Sequence, residues 1–127
     1  VYGIARSREG AVRFLLAWLD GPARSAALGQ SELPALTPAT ITSREGLDEE
    51  LDAVRARGFA RDSEECEVGI RCLAAPIFDY TSQAVAALSV SWPSFRYGRM
   101  REEASLIELL SQASVLSRHL GYEPQSL

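Results

Sequence analysis

The fold of this chain is decided between residues 58 and 79, where the sequence reads GFARDSEECEVGIRCLAAPIFD. Gly58 follows a helical pattern and is placed to end that helix in the left-handed conformation. The residues after it predict a short strand at 59–62 and a long, mostly apolar strand at 69–78. An acid, Asp62, and a small thiol, Cys72, therefore fall on neighbouring strands of one predicted sheet.

Apolar spacing and turn residues on either side of this stretch complete the predicted elements. Helices are predicted at 7–19, 23–28, 43–57 and 101–120, and a third strand at 83–92. The link between the second and third strands is too short to join parallel strands, so the sheet is predicted to be antiparallel. Helices followed by a strand meander and a last helix are typical of an α+β domain, with an antiparallel sheet flanked by helices.

The composition of the 127-residue chain is that of one ordinary globular domain, with 46% hydrophobic and 24% charged residues. The net charge is -4 and the 13 basic residues, all Arg, are scattered, so this segment is not expected to bind DNA by itself. No apolar run approaches the roughly 20 residues of a membrane helix, and the first residues lack a signal-peptide pattern. We therefore expect a cytoplasmic protein without membrane contact.

Two cysteines and one histidine decide what can be said of disulfides and metals. Cys66 and Cys72 lie six residues apart, which in an extended segment is roughly 20 Å and beyond disulfide reach. We expect both to be free thiols in a reducing compartment. His119 lies far off in a helical pattern, and a zinc site needs more ligands than these three residues supply. No metal and no cofactor is expected.

A candidate pocket follows from the alternation of side chains along the second and third strands. If residues 80–81 form the turn, Cys72 faces Ser89 and Ile70 faces Ser91. Directly opposite residues in an antiparallel pair point to the same side of the sheet. The predicted register therefore gathers a thiol, two hydroxyls and an aliphatic side chain on one surface.

Asp62, at the end of the preceding strand, would add a carboxylate at the rim of this pocket. An apolar floor with a few polar groups is what a small-metabolite site needs. The same residues also fit a packed core, because Ser and Ala accommodate a helix and Cys is a common small core residue. A register slip of one residue would send the four side chains to opposite faces. Both interpretations stay open on the pattern alone.

Several segments, in order and over about residues 9–121, resemble the effector-binding domain of IclR-type bacterial transcriptional regulators. LLAWL at 15–19 is similar to the family's Leu-Leu-Ala-x-Leu helix, and TPATI at 37–41 resembles its Thr-x-x-Thr-Ile segment. LDAVRARGFA at 51–60 and GIRCLAAP at 69–76 follow, and AALSVSWP at 86–93 resembles Ala-Ala-Leu-Ser-Val-Ser-Gly-Pro. Several motifs at the right distances are far more specific than one short motif.

The resemblance implies a GAF-like, profilin-like domain that binds a small effector, often a carboxylate or an aromatic-catabolism metabolite. The residue types that contact the effector in the family match five positions on the strands and two at the start of the first helix, namely Asp62, Ile70, Cys72, Ser89, Ser91, Gly10 and Ala11.

The resemblance also implies the organisation of the protein and its partners. Residues 1–127 are expected to form one effector-binding domain, without the strands and the winged helix-turn-helix domain that precede it in the family. DNA is then contacted only through that separate domain. The expected partners are a small-molecule effector and other copies of the chain, in a dimer or tetramer.

The chain departs from the family pattern at three places. Val12 and Arg13 replace Gly-Lys before the Leu-Leu-Ala segment, and Ser82 replaces a turn Gly. Trp92 replaces the Gly before Pro93, and we expect this large side chain near the rim of the pocket. These changes suggest an altered effector or a partly degenerate site.

Three functions are suggested by parts of this sequence. The first is the sensor module of a transcription regulator, in which effector binding shifts an equilibrium between oligomeric arrangements. The second is an enzyme using Cys72 with His119, or the carboxylates at 64–65; we reject it because the thiol has no evident basic partner and adjacent carboxylates point apart. The third is an oligomerisation module with a filled, non-binding pocket, plugged by Trp92 or Phe95.

Overall fold

The computed structural model describes residues 16–19, 21–28, 38, 41–63, 68–95 and 99–124. Its elements are, in chain order, α1 (Gly21–Leu28), α2 (Arg44–Arg57), β1 (Ala60–Ser63), β2 (Ile70–Phe78), β3 (Ala84–Pro93) and α3 (Arg99–His119). Each boundary lies within two residues of its prediction. The helix predicted at 7–19 falls largely outside the described residues; the described Leu16 and Ala17 are helical.

Both ends of α2 are closed by its sequence. The Ser43 hydroxyl accepts a hydrogen bond from the Gly46 N–H at 3.0 Å, which satisfies one of the amides that the first turn leaves without a partner. At the other end Gly58 adopts φ 86°, and its N–H donates to the Val54 carbonyl at 2.8 Å. Because this left-handed conformation is costly for residues with a Cβ, the predicted role of Gly58 is confirmed.

The three strands form one antiparallel sheet in the order β1-β2-β3. Cys72 pairs with Ser91, and the next pair along β2 joins Ala74 to Ser89. The predicted register, with Cys72 opposite Ser89 and Ile70 opposite Ser91, is therefore wrong by two residues. Because side chains alternate with a period of two, this shift leaves each of them on the expected face.

The register differs because the turn between β2 and β3 is longer than the predicted two residues. The turn occupies 79–83, where the Asp79 N–H donates to the Gln83 carbonyl and the Ser82 N–H to the Asp79 carbonyl, both at 3.0 Å. The Asp79 carboxylate also accepts hydrogen bonds from the Thr81 N–H and hydroxyl. A bulge between Ile77 and Phe78 then adjusts the pairing.

The sheet separates two layers of apolar packing. On one face, here called the α2 face, Ala60 and Ala74 are buried against three residues of α2: Leu47, Leu51 and Val54. On the other, the α3 face, Leu73 and Ala75 are buried against α3. Successive residues of β2 therefore enter opposite layers, which explains why this strand is apolar along most of its length.

The 21-residue helix α3 covers the α3 face. Leu109 and Ala113 pack in the core of this layer, while Ile107, on another side of the helix, is 71% exposed. Charged and hydroxyl side chains interrupt the apolar residues along α3. None of the helices in the described ranges is long and apolar enough to cross a membrane.

Candidate functional site

Four of the predicted site residues lie together on the α2 face. Cys72 and Ser91 are directly opposite each other, and Ile70 and Ser89 occupy neighbouring positions of the same face on either side of that pair. Opposite residues in an antiparallel ladder have Cβ atoms about 5 Å apart. The structure thus brings a thiol, two hydroxyls and one aliphatic group within the reach of one small molecule.

Burial decreases along this face as it leaves the shelter of α2. Ala74, beneath α2, is fully buried, Cys72 is 8% exposed, and Ile70 is partly exposed. Across the ladder Ser89 and Ser91 are exposed. The candidate site is therefore a strip beside α2 formed by four residues, Ile70 and Cys72 of β2 and Ser89 and Ser91 of β3. It runs from the buried Ala74 to Ile70, the first residue of β2.

The other three predicted site residues are located less fully. Asp62 pairs with Cys72 in the β1–β2 ladder, so its backbone adjoins the strip. That its carboxylate lies at the rim stays a prediction. Gly10 and Ala11 lie outside the described residues. The prediction that their helix borders the site stays a prediction.

The predicted positions of two aromatic residues near the site are wrong. Trp92 follows Ser91 in β3 and therefore points to the α3 face, where it is 6% exposed and packs in the core formed with α3. It neither stands at the rim of the strip nor plugs it. Phe95 lies beyond the end of β3 and is 89% exposed, so it does not fill the strip either.

Cys72 and His119, considered for catalysis, are not brought together in the structure, and the carboxylates at 64–65 lie outside the described residues. His119 is the last residue of α3, on the layer opposite Cys72. No cluster of three or more His, Cys, Asp or Glu residues that could hold a metal occurs among the described residues. Asp79 has its pKa lowered, chiefly by the Thr81 hydroxyl, and its carboxylate organises the turn.

One buried charged residue was missed at the sequence level. Arg24 in α1 is 7% exposed, and its guanidinium donates to the carbonyls of Leu16 and Ala17 at 3.3 and 3.4 Å. It also forms an ion pair with Asp52 of α2 at 3.0 Å. Small residues flank Arg24 in α1, which gives no periodic signal, and its partners are distant in sequence, so the pattern held no indication of its burial.

Two cavities lined by described residues lie elsewhere and do not contain the Cys72–Ser91 pair. One, of about 450 Å³, lies between β3 and α3, and its lining includes Ser89 and Glu108. The other, of about 360 Å³, lies between α1 and α2 beside Arg24 and Asp52. Neither cavity is lined by Ile70, Cys72 or Ser91.

This chain is similar to a known protein family and to individual members of it. The sequence model of the family described as bacterial transcriptional regulator IclR C-terminal matches residues 8–118. The HTH-type transcriptional regulator KdgR of Escherichia coli is 38% identical over 110 residues, which are 87% of this chain and 42% of that protein. For XynR of the same organism the identity is 42% over 111 residues, covering 87% and 44%. This chain thus spans less than half the length of these relatives.

Solved structures agree with the sequence matches. The C-terminal domain of E. coli KdgR superposes with a TM-score of 0.84 at 37% identity, covering 89% of this chain and 69% of that one. The PobR inducer-binding domain from Acinetobacter, solved with 3-hydroxybenzoic acid, superposes at 0.79 with 28% identity, covering 89% and 65%. The predicted α+β, GAF-like fold is confirmed, and the relatives are transcriptional regulators, not enzymes. This chain belongs to the IclR family of bacterial transcriptional regulators, in which it corresponds to the C-terminal domain.

Proposed function

We propose that this domain senses a small organic effector, which binds on the strip of the α2 face beside Cys72 and Ser91. The observation that carries the proposal is the direct pairing of these two residues. Ser89 and Ile70 lie on the same face, next to the buried core that α2 forms with the sheet. Hydroxyls and a thiol can each donate and accept hydrogen bonds, while Ile70 and Pro93 supply apolar contact. The backbone of Asp62 adjoins this strip, and we propose Gly10 and Ala11 as its further boundary.

The effector class we propose is a small carboxylate with an aromatic or short aliphatic body. The similarity to the PobR domain, solved with 3-hydroxybenzoic acid, supports this class. Hydroxyl groups such as those of Ser89 and Ser91 suit a carboxylate or phenol oxygen, and the apolar end of the strip suits a carbon skeleton. Ser82 and Trp92 stand where the family has two glycines, and neither lies among these four side chains. This supports a site that can still bind an effector.

The wider function we propose is regulatory. Residues 1–127 form one effector-binding domain, and a separate winged helix-turn-helix domain of the regulator contacts DNA in the cytoplasm. The domain associates with other copies as a dimer or tetramer, and effector binding favours one arrangement over another. Sedimentation velocity of the chain, with and without effector, tests the association.

Binding itself is tested by a thermal-shift screen of small carboxylates that includes 3-hydroxybenzoate, followed by calorimetric titration. A ligand that binds only the native state raises Tm in a concentration-dependent way. Ser91→Phe, which fills the strip, is expected to abolish the shift, while Glu49→Phe, at an exposed position of α2, is expected to retain it. No shift across the screen, or equal binding by both variants, would contradict the proposal.

A further inference from the structure

Helix α3 lies on the face of the sheet opposite the strip, yet both of its ends are attached to the layer beside the strip. Its middle rests on the sheet through Leu109 and Ala113. The two attachments lie near Glu102 in its first turn and Ser117 in its last. The two residues are fifteen positions apart, roughly 22 Å along the helix axis.

The first attachment is an ion pair between α3 and β1. Glu102 Oε1 lies 2.6 Å from the Nε atom of Arg61, and the Glu102 side chain is only 14% exposed. Among the described residues this oxygen is buried without a well-directed hydrogen bond. The positive charge of Arg61 therefore compensates the negative charge of the Glu102 carboxylate. Loss of this pair would leave a partly buried carboxylate poorly compensated.

The same attachment continues from β1 to α2 through one aromatic ring. The guanidinium carbons of Arg61 and Arg57 lie 5.8 and 5.2 Å from the centroid of Phe59. Arg57 also pairs with Glu50 of α2 at 2.9 Å and donates to the Phe59 carbonyl at the same distance. Phe59 packs against the cores of both layers. A continuous set of contacts therefore joins α2 to the first turn of α3 around the β1 side of the sheet.

The second attachment joins the last turn of α3 to the end of β2. The buried Ser117 hydroxyl accepts the Phe78 N–H at 3.0 Å and donates to the Ala113 carbonyl at 2.9 Å. The Phe78 ring lies between Tyr122, which follows α3, at 4.9 Å and Trp18 at 5.7 Å between centroids. Trp18 packs against the core of the α2 layer. The C-terminal end of α3 is thus also connected to that layer.

We propose that α3 is the output element of this domain, moved by occupancy of the strip through these two attachments. The proposal rests on the proposed effector site and adds how that site is coupled to the rest of the molecule. Packed layers transmit displacement because interiors are dense and hardly compressible. A shift of the α2 layer acts on α3 at two points far apart, so the helix tilts or slides as a unit instead of fraying at one end.

The experiment uses a permanent occupant, so it needs no identified effector. Ser91→Phe places a ring on the strip, and hydrogen exchange of α3 amides is measured by mass spectrometry with and without this substitution. We expect exchange in the first and last turns of α3 to change at least threefold. Adding Glu102→Gln and Ser117→Ala, which remove the ion pair with Arg61 and the hydrogen bond from the Phe78 N–H, is expected to reduce that change to less than 1.5-fold.

Glu49→Phe is the matched control, because Glu49 is exposed on α2, away from the buried side formed by Leu47 and Leu51, and it is expected to leave α3 exchange unaltered. If the combined variant fails to fold by circular dichroism, Glu102→Gln alone is used, and the change is then expected to vanish at the first turn of α3 only. Unaltered exchange in Ser91→Phe, or an equal change with and without the attachments, would overturn the proposal. Absence of ligand binding in the screen would refute the effector site and leave this coupling measurement valid.

Discussion

Cys72 and Ser91 occupy directly opposite positions in the β2–β3 ladder, the thiol nearly buried and the hydroxyl exposed. A ligand on the strip therefore meets the hydroxyl first and the thiol at greater depth. This order predicts that polar recognition depends chiefly on Ser91, while Cys72 limits the space beneath the ligand.

For an effector found in the screen, Ser91→Ala is expected to weaken binding about tenfold, since one hydrogen bond contributes about 1 kcal/mol or somewhat more. Cys72→Val, which enlarges the deep side chain, is expected to weaken it further by occupying ligand space. Isothermal titration calorimetry checks both, with Glu49→Gln, at an exposed position of α2, as the control. Unchanged affinity in Ser91→Ala would argue that the ligand lies elsewhere.

The buried guanidinium of Arg24 supports the packing of α1 against the preceding helical residues and α2. Arg24→Met removes the donors to the Leu16 and Ala17 carbonyls and the partner of Asp52. We expect the unfolding free energy to fall by about 2 kcal/mol. The ion pair contributes little to this value because Asp52 is largely exposed. Urea unfolding measures the loss. Arg24→Lys keeps the charge without the planar fork and is expected to recover less than half of it. Full recovery by Lys would show that charge alone suffices.

The hydroxyl of Ser117 is expected to matter through the bond it accepts from the Phe78 N–H. Ser117→Ala leaves that buried amide without its partner and should destabilise the domain by about 1–3 kcal/mol. Ser111→Ala, at an exposed position of the same helix, is the matched control and should change little. Thermal and urea unfolding of the two variants distinguish them, and equal stability would contradict the role given to Ser117.

The turn predicts a stabilising substitution at Ser82, which adopts φ 65°. The left-handed conformation costs a residue with a Cβ about 1 kcal/mol. Gly avoids this cost, but part of the gain is lost because Gly makes the unfolded chain more flexible. Ser82→Gly is therefore expected to raise the unfolding free energy by about 0.5 kcal/mol. Ser82→Ala, which keeps the Cβ, should show no gain. A loss of stability in the Gly variant would contradict this account.

The lowered pKa of Asp79 predicts a pH effect at the acid end. Its hydrogen bond from the Thr81 hydroxyl favours the ionised form in the folded state, so the pKa falls below the ordinary 3.8. The stability that it contributes is present above the unfolded pKa and is lost as pH falls through the folded pKa. Asp79→Asn is expected to flatten the dependence of Tm on pH below 4. An equally steep dependence in the variant would assign it to other carboxylates.

Much of the fold followed from local signals in the sequence. The apolar residues of α2 and its closing Gly58 predicted a helix whose observed bounds differ by one residue, because caps and periodicity act within a few residues. Which side chains share the strip was also predicted, since alternation depends on the strand alone.

What the sequence did not reveal depends on longer-range interactions. The offset between β2 and β3 depends on a five-residue turn held by the Asp79 carboxylate, whereas the pattern favoured a two-residue turn. The position of Trp92 in place of the family's Gly before Pro93 predicts it at the rim of the pocket, whereas alternation along β3 places it in the other layer. The burial of Arg24 depends on partners up to 28 residues away, which no local periodicity encodes.

The bulge between Ile77 and Phe78 has a consequence for the identity of the strip. Phe78 pairs with Ala84, and an uninterrupted ladder from that pair would bring Val90 opposite Cys72. Valine, leucine and tryptophan would then occupy the strip, and both serines would be turned toward α3. Val85 is left without a partner in the ladder, and this one-residue offset places the serines, and not the apolar residues of β3, on the strip. In a homologue without this bulge, the loop between β2 and β3 must differ in length by an odd number of residues if the hydroxyl groups are to remain on the α2 face.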